Sequence, residues 1–184
     1  MLKSEMFAEE LKRISDLNVW ATTKAYLEEV APDYFFSVPA SLSGQHHPQF
    51  ALGVGGLVRH TKAVCMVAEE LLRMKTWMYL PDLYKDYIRA ACIVHDTCKY
   101  GAEDEPDKSK YREHPELAAE NYRSYWNLFN DGKECPQFLL NAIAAHMGQW
   151  GETKEMTPMD RCVHFADYFA SRNFIDIPIL RGDE

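Results

Sequence analysis

Apolar residues recur along this chain at intervals of three and four, the spacing of a helix with one buried face. Met6 to Ile14 forms a short first stretch of this kind. Val19, Trp20, Thr23, Tyr26, Leu27 and Val30 make a second stripe, which Pro32 stops. Leu57, Val64, Val67, Ala68, Leu71 and Leu72 make a third, with His60 on or beside it. Tyr84, Tyr87, Ile88, Ala91, Cys92 and His95 make a fourth, which ends near Gly101. Pro115, at a first-turn position, opens a segment that runs to Phe129, and Asp131-Gly132 reads as a turn. Pro136 opens another helix, with Leu139, Ala142, Ile143 and His146 on one stripe. Thr157-Pro158-Met159-Asp160 predicts a capped helix start, and its stripe includes Val163, Ala166, Asp167 and Ala170. No strand pair is evident. The pattern predicts an all-α globule.

Two stretches interrupt the periodicity. Residues 33–56 hold Pro39, Gly44, Pro48, Gly53, Gly55 and Gly56 with aromatics between them, and read as a long ordered loop leading into the main domain. Glu103 to Glu113 is a charged loop. The expected organisation is an N-terminal helical extension and loop over 1–50, a main helical domain over 51–175, and a short irregular tail over 176–184.

Several polar residues sit where apolar ones are expected. His95-Asp96 closes the apolar run Ala90-Ala91-Cys92-Ile93-Val94. Burying an imidazole beside a carboxylate is costly unless something pairs with both, and a divalent metal does so. His60, His114, His146 and Asp167 are the other candidates, each from a separate segment. Each has a plainer reading: His60 as a satisfied core residue, His114 as an N-cap, His146 as a helix end, and Asp167 as a partner of Arg161 or Arg172. Together they favour a shared partner. Imidazole suits zinc, iron, manganese, cobalt and nickel, and carboxylate suits harder ions such as magnesium. Four histidines and two aspartates exceed the needs of one tetrahedral ion. They would serve two, with Asp96 as a bridge and positions left for water and substrate. His46 and His47 are expected to be exposed; His164, three residues before Asp167, either stands behind a ligand or is left over, the second reading being favoured.

Charge and composition narrow the function. The chain has 184 residues, 47% of them hydrophobic, which suits one domain with a real core. A formal charge of -8 argues against non-specific binding along duplex DNA, which needs many cationic contacts. It leaves room for a phosphate-bearing small molecule or a short RNA. The five cysteines are scattered without a Cys-x-x-Cys pair and read as reduced core residues. The sequence shows no membrane-length apolar run and no leader-like start, so a cytoplasmic protein is expected. Self-association is left open.

The order His, His-Asp, His, His, Asp resembles that of the HD-domain metal-dependent phosphohydrolases, over residues 50–175. Gly55-Gly56-Leu57-Val58-Arg59-His60-Thr61 is similar to the family's first-histidine segment. Ala91-Cys92-Ile93-Val94-His95-Asp96-Thr97-Cys98-Lys99 is similar to its signature, with Cys98 where Gly is usual. The segment Ala145-His146-Met147-Gly148-Gln149-Trp150-Gly151, together with His164-Phe165-Ala166-Asp167, resembles the HD domains of 3′-5′ exoribonucleases, with Met147 where some relatives carry a second His. The resemblance implies an HD-domain helical bundle with a binuclear site between its helices. It implies that His60, His95, Asp96 and Asp167 hold one ion and that Asp96, His114 and His146 hold the second. The implied activity is hydrolysis of a phosphoester of a nucleotide, cyclic nucleotide or RNA end through a hydroxide bridging the ions, with Asp96 and Lys99 in catalytic roles. Lys99 would bind a phosphate oxygen or the leaving group, or would simply end its helix. Lys108, Lys110 and Arg112 would bind substrate phosphates, or would form a solvated stretch balanced by Glu103, Asp104, Glu105 and Asp107. Tyr100, Tyr111 and Trp150 flank the motifs as stacking or packing residues. Two other classes fit the same ligands: an HD-type diiron oxygenase and a non-catalytic nucleotide-binding module.

Overall fold

Helix starts and stops follow the local chemistry of the chain. In this computed structural model, which describes residues 2–41, 47–154, 156–177 and 180, the helices are α1 (Ala8–Leu11), α2 (Leu17–Glu29), α3 (Gly56–Leu71), α4 (Asp82–Val94), α5 (His114–Phe129), α6 (Gln137–Ala144) and α7 (Pro158–Ala170). Asp16 caps α2 by accepting from the N–H groups of Asn18 and Val19. Thr157 and Asp160 close a reciprocal capping box at α7, as the sequence predicts. Among the described residues there is no strand, only an isolated bridge between Lys99 and Gly101. The all-α expectation holds. No helix of the described residues is long and apolar enough to cross a membrane.

The first periodic stretch is not one helix. A 3-10 turn over Lys3–Phe7 runs into the single turn of α1. So short a segment cannot repay helix nucleation alone, and tertiary contacts set its shape. One such contact is buried Asp86 of α4, whose Oδ2 accepts from the backbone N–H groups of Ser15 and Asp16 at 3.0 and 2.8 Å.

α3 packs on α7 and α4, α4 on α6 and α7, and α5 on α6. Phe7, Leu11, Val19, Tyr26, Leu27 and Phe35 join the same core as α3–α7, so the N-terminal segment is built into the body of the bundle. Ile175, Ile177 and Leu180 lean on that core from the tail. All five cysteines are buried free thiols.

The described residues of this stretch, 33–41 and 47–56, are more structured than a loop reading implies. They contain 3-10 turns at Asp33–Phe36 and Gln49–Ala51, and Ala40 N–H donates to the Ala51 carbonyl at 3.0 Å. The Arg59 guanidinium, one residue before His60, donates to the carbonyls of Phe50, Leu52 and Val54. Gly56 lies so close to Ala51 that a Cβ would stand 2.2 Å from its carbonyl oxygen. Gly56→Ala is therefore expected to cost about 1–3 kcal/mol through forced backbone movement. A fall in the unfolding midpoint checks this, and an unchanged midpoint contradicts the close approach. His46 lies outside the described residues.

Candidate metal centre

Five helical elements deliver the candidate ligands to one interior point. His60 lies in α3, His95 and Asp96 directly follow α4, His114 opens α5, His146 follows α6, and Asp167 lies in α7. All are buried except Asp167, which is partly exposed. The sequence places His146 on the stripe of α6, but the helix ends two residues earlier, ahead of Gly148 with its left-handed φ of 55°.

The ligand atoms gather in two groups, His60 with His95 and Asp167, and Asp96 with His114 and His146. Asp96 spans them. Its Oδ1 lies 3.0 Å from His114 Nε2 and 3.7 Å from His146 Nε2. Its Oδ2 lies 3.6 Å from His95 Nε2 and 3.7 Å from His60 Nε2. Asp167 Oδ1 stands 3.0 Å from His60 Nε2, and Arg172 lies instead over the Tyr168 ring.

Hydrogen bonds fix which nitrogen faces inward. His95 Nδ1 lies 2.8 Å from the Cys92 carbonyl, His146 Nδ1 lies 2.8 Å from the Ile143 carbonyl, and His114 Nδ1 meets the Tyr111 carbonyl. A carbonyl only accepts, so each Nδ1 carries the proton and each Nε2 turns a lone pair to the interior. The Nε2 atoms of His114 and His146 then face each other at 3.0 Å with no proton between them. His95 Nε2 is enclosed without a hydrogen-bond partner. Both arrangements cost free energy that a cation removes. Two nitrogens sharing one ion at roughly 2.0–2.1 Å stand roughly 3 Å apart, so the donor set fits divalent metal.

Burial opposes the charge on Asp96, but the Lys99 ammonium beside it holds its carboxyl well below the usual range. Burial likewise opposes the charge on Asp167, and His60 and His95 outweigh it. Lys99 is buried, with Nζ 2.6 Å from Asp96 Oδ2. Burial works against its charge, yet Asp96 raises its pKa above the ordinary lysine value.

Burial, with His95 and His114 nearby, pushes His146 from 6.5 down to about 3, and burial also lowers His95. The unfolded chain therefore binds more protons than the folded one between these values, and stability rises with pH across the window. In chelator, the unfolding midpoint is expected to fall steadily as pH drops from 6.5 towards 3. A midpoint that stays flat over the upper half of that window contradicts the neutral, inward-facing imidazoles.

A cavity of about 690 Å³ opens over this centre. Lys99 and Lys108 line it, as do Tyr100, Tyr111 and Trp150. Lys110 turns to Glu113 at 3.0 Å, and Arg112 is exposed away from the cavity, so of the basic stretch Lys108 alone reaches the wall. Tyr100 is buried, whereas the exposed Trp150 ring stacks on Tyr168, with centroids 5.7 Å apart and planes within 4°. Cys98 sits in an ordinary backbone conformation, and its Sγ receives the Asn121 amide at 3.4 Å. His164 Nδ1 lies 2.7 Å from the His146 carbonyl.

His47 corrects the sequence expectation. It is not an exposed loop residue but lines the cavity, its ring edge-on to His60 with centroids 5.4 Å apart. Burial, with His60 and Lys99 close by, lowers its pKa to about 3. Sequence reasoning also missed Tyr168 and Arg172 on the cavity wall. Nothing local in the sequence marks them beyond their nearness to Asp167: Tyr168 is its neighbour in α7, and Arg172 lies two residues past the end of that helix.

A family model described as the HD domain matches residues 57–172, well over half of the chain. The match spans every candidate ligand and does not single out an exoribonuclease branch. No curated protein matches this chain, and no solved structure does.

Proposed function

Because this chain belongs to the HD-domain family of metal-dependent phosphohydrolases, we propose that it hydrolyses a phosphoester of a nucleotide, a cyclic nucleotide or an RNA end, using two divalent ions. The observation that carries this reading is Asp96, whose two carboxylate oxygens face the two separate groups of inward-turned imidazoles. In it, His60, His95, Asp96 and Asp167 hold one ion, and Asp96, His114 and His146 the other. Bound there, the ions would supply Lewis acidity and a water that loses its proton near neutral pH.

The remaining chemistry falls to the chain itself. The carbonyls of Cys92, Tyr111 and Ile143 lock three imidazoles in one tautomer, so the ligands need no reorganisation on binding. Lys99 pairs with the Asp96 carboxylate at the cavity wall, placed to receive a non-bridging phosphoryl oxygen and to stabilise charge that builds on it. Lys108 offers a second cation at the wall. The exposed Trp150 ring offers a face to a base, and the cavity has the volume of a nucleotide-sized ligand.

A panel of nucleotides, cyclic nucleotides and short RNAs, titrated with Mn, Co, Ni, Zn, Mg and anaerobic Fe, tests this. The expected result is metal-dependent release of phosphate or nucleotide that stops on chelation. Absence of turnover on every phosphoester with every metal overturns the reading. Iron-dependent oxygen uptake without phosphoester turnover replaces it with oxygen chemistry.

A further inference from the structure

His47 comes from outside the segment that carries the ligands, yet it reaches the same cavity as Asp96, Lys99 and Asp167. Its Nδ1 is enclosed and has no hydrogen-bond partner. A buried imidazole nitrogen left in this state is costly in the folded protein, while the residue itself lines the cavity wall, where its ring is available to a bound molecule. His47 belongs to neither group of mutually close ligand atoms, so it is set back from the ions' positions. It nonetheless packs directly on the His60 ring.

The described chain that follows His47 is tied down: Pro48 leads directly into the Gln49–Ala51 turn, and the Ala51 carbonyl accepts from Ala40 N–H at 3.0 Å. Three carbonyls, of Phe50 in that turn and of Leu52 and Val54 beyond it, are gathered by Arg59, the neighbour of His60 in sequence. The same helix start therefore fixes both a metal-holding imidazole and the segment that brings a second imidazole over it.

We propose that His47 is a substrate-contacting residue, which hydrogen-bonds an oxygen of the phosphoryl group held over the His60 side of the centre. The proposal rests on the phosphohydrolase reading. It assigns to His47 a part in recognising the phosphoryl group, alongside Lys99, rather than a part in holding metal.

The test uses the full chain loaded with manganese, with inorganic phosphate as the probe. Bound metal is measured by elemental analysis, phosphate affinity by calorimetry, and KM and kcat on the best substrate of the panel. His47→Ala is expected to keep its full metal content while weakening phosphate binding and raising KM by about tenfold. His47→Gln, which restores a donor, is expected to recover part of the loss. If His47→Ala sheds metal, the residue holds the centre together and the proposal is overturned. If both variants match wild type in phosphate affinity and KM, it is likewise overturned, with the phosphohydrolase reading intact. If the wild-type protein neither binds phosphate nor turns over any phosphoester, both fall together.

Discussion

Asp96→Ala is expected to remove both metal ions together and to lower hydrolysis by at least about a thousandfold, since several kcal/mol of transition-state stabilisation depends on the ions. The reason is geometric. Oδ1 addresses His114 and His146, and Oδ2 addresses His60 and His95, so one side chain serves both groups. Removing an imidazole from one group leaves the other complete. His60→Ala and His146→Ala are therefore expected to weaken mainly one ion each, and the contrast between the three variants is the signature of a bridge. Elemental analysis against metal titration reads it directly. Asp96→Asn keeps the shape of the side chain and guards against a trivial folding defect. If Asp96→Ala retains two ions and full activity, Asp96 is not the bridge.

Lys99→Met is expected to destabilise the metal-free protein by about 3–5 kcal/mol, because it leaves the buried Asp96 carboxylate without its cationic partner. The same substitution removes a positive charge that competes with the ions. Metal binding should therefore tighten in the variant even as turnover slows, and added metal should restore most of the lost stability. Denaturant unfolding in chelator and in manganese separates the two states. Equal loss of stability in both would mean that Lys99 acts by packing and not by its charge.

Much of the bundle is legible in the sequence because helix stripes and caps are local. Thr157 with Asp160, and Asp131-Gly132 with positive φ at both positions, form as their residue types require. The ligand set is legible for a related reason: inward polar residues on apolar stripes demand a partner wherever they meet. What stays hidden depends on contacts far apart along the chain. Met6 to Ile14 has helical spacing, but its end is set by Asp86, some seventy residues on. His47 sits in an aperiodic segment whose fold depends on Arg59 reaching back to three carbonyls. The Trp150–Tyr168 stack joins the turn after α6 to α7. Lys110 and Lys108 look alike in sequence, and Glu113 draws one of them away from the cavity.

The carbonyls that orient His95, His114 and His146 belong to Cys92, Tyr111 and Ile143, each three residues upstream of its histidine. Aim is thus set within a single turn, by main chain, and not by a neighbouring helix. No side-chain substitution at 92, 111 or 143 can delete the acceptor. Each of these three histidines carries its own gunsight, and the fold need only bring those preset turns together.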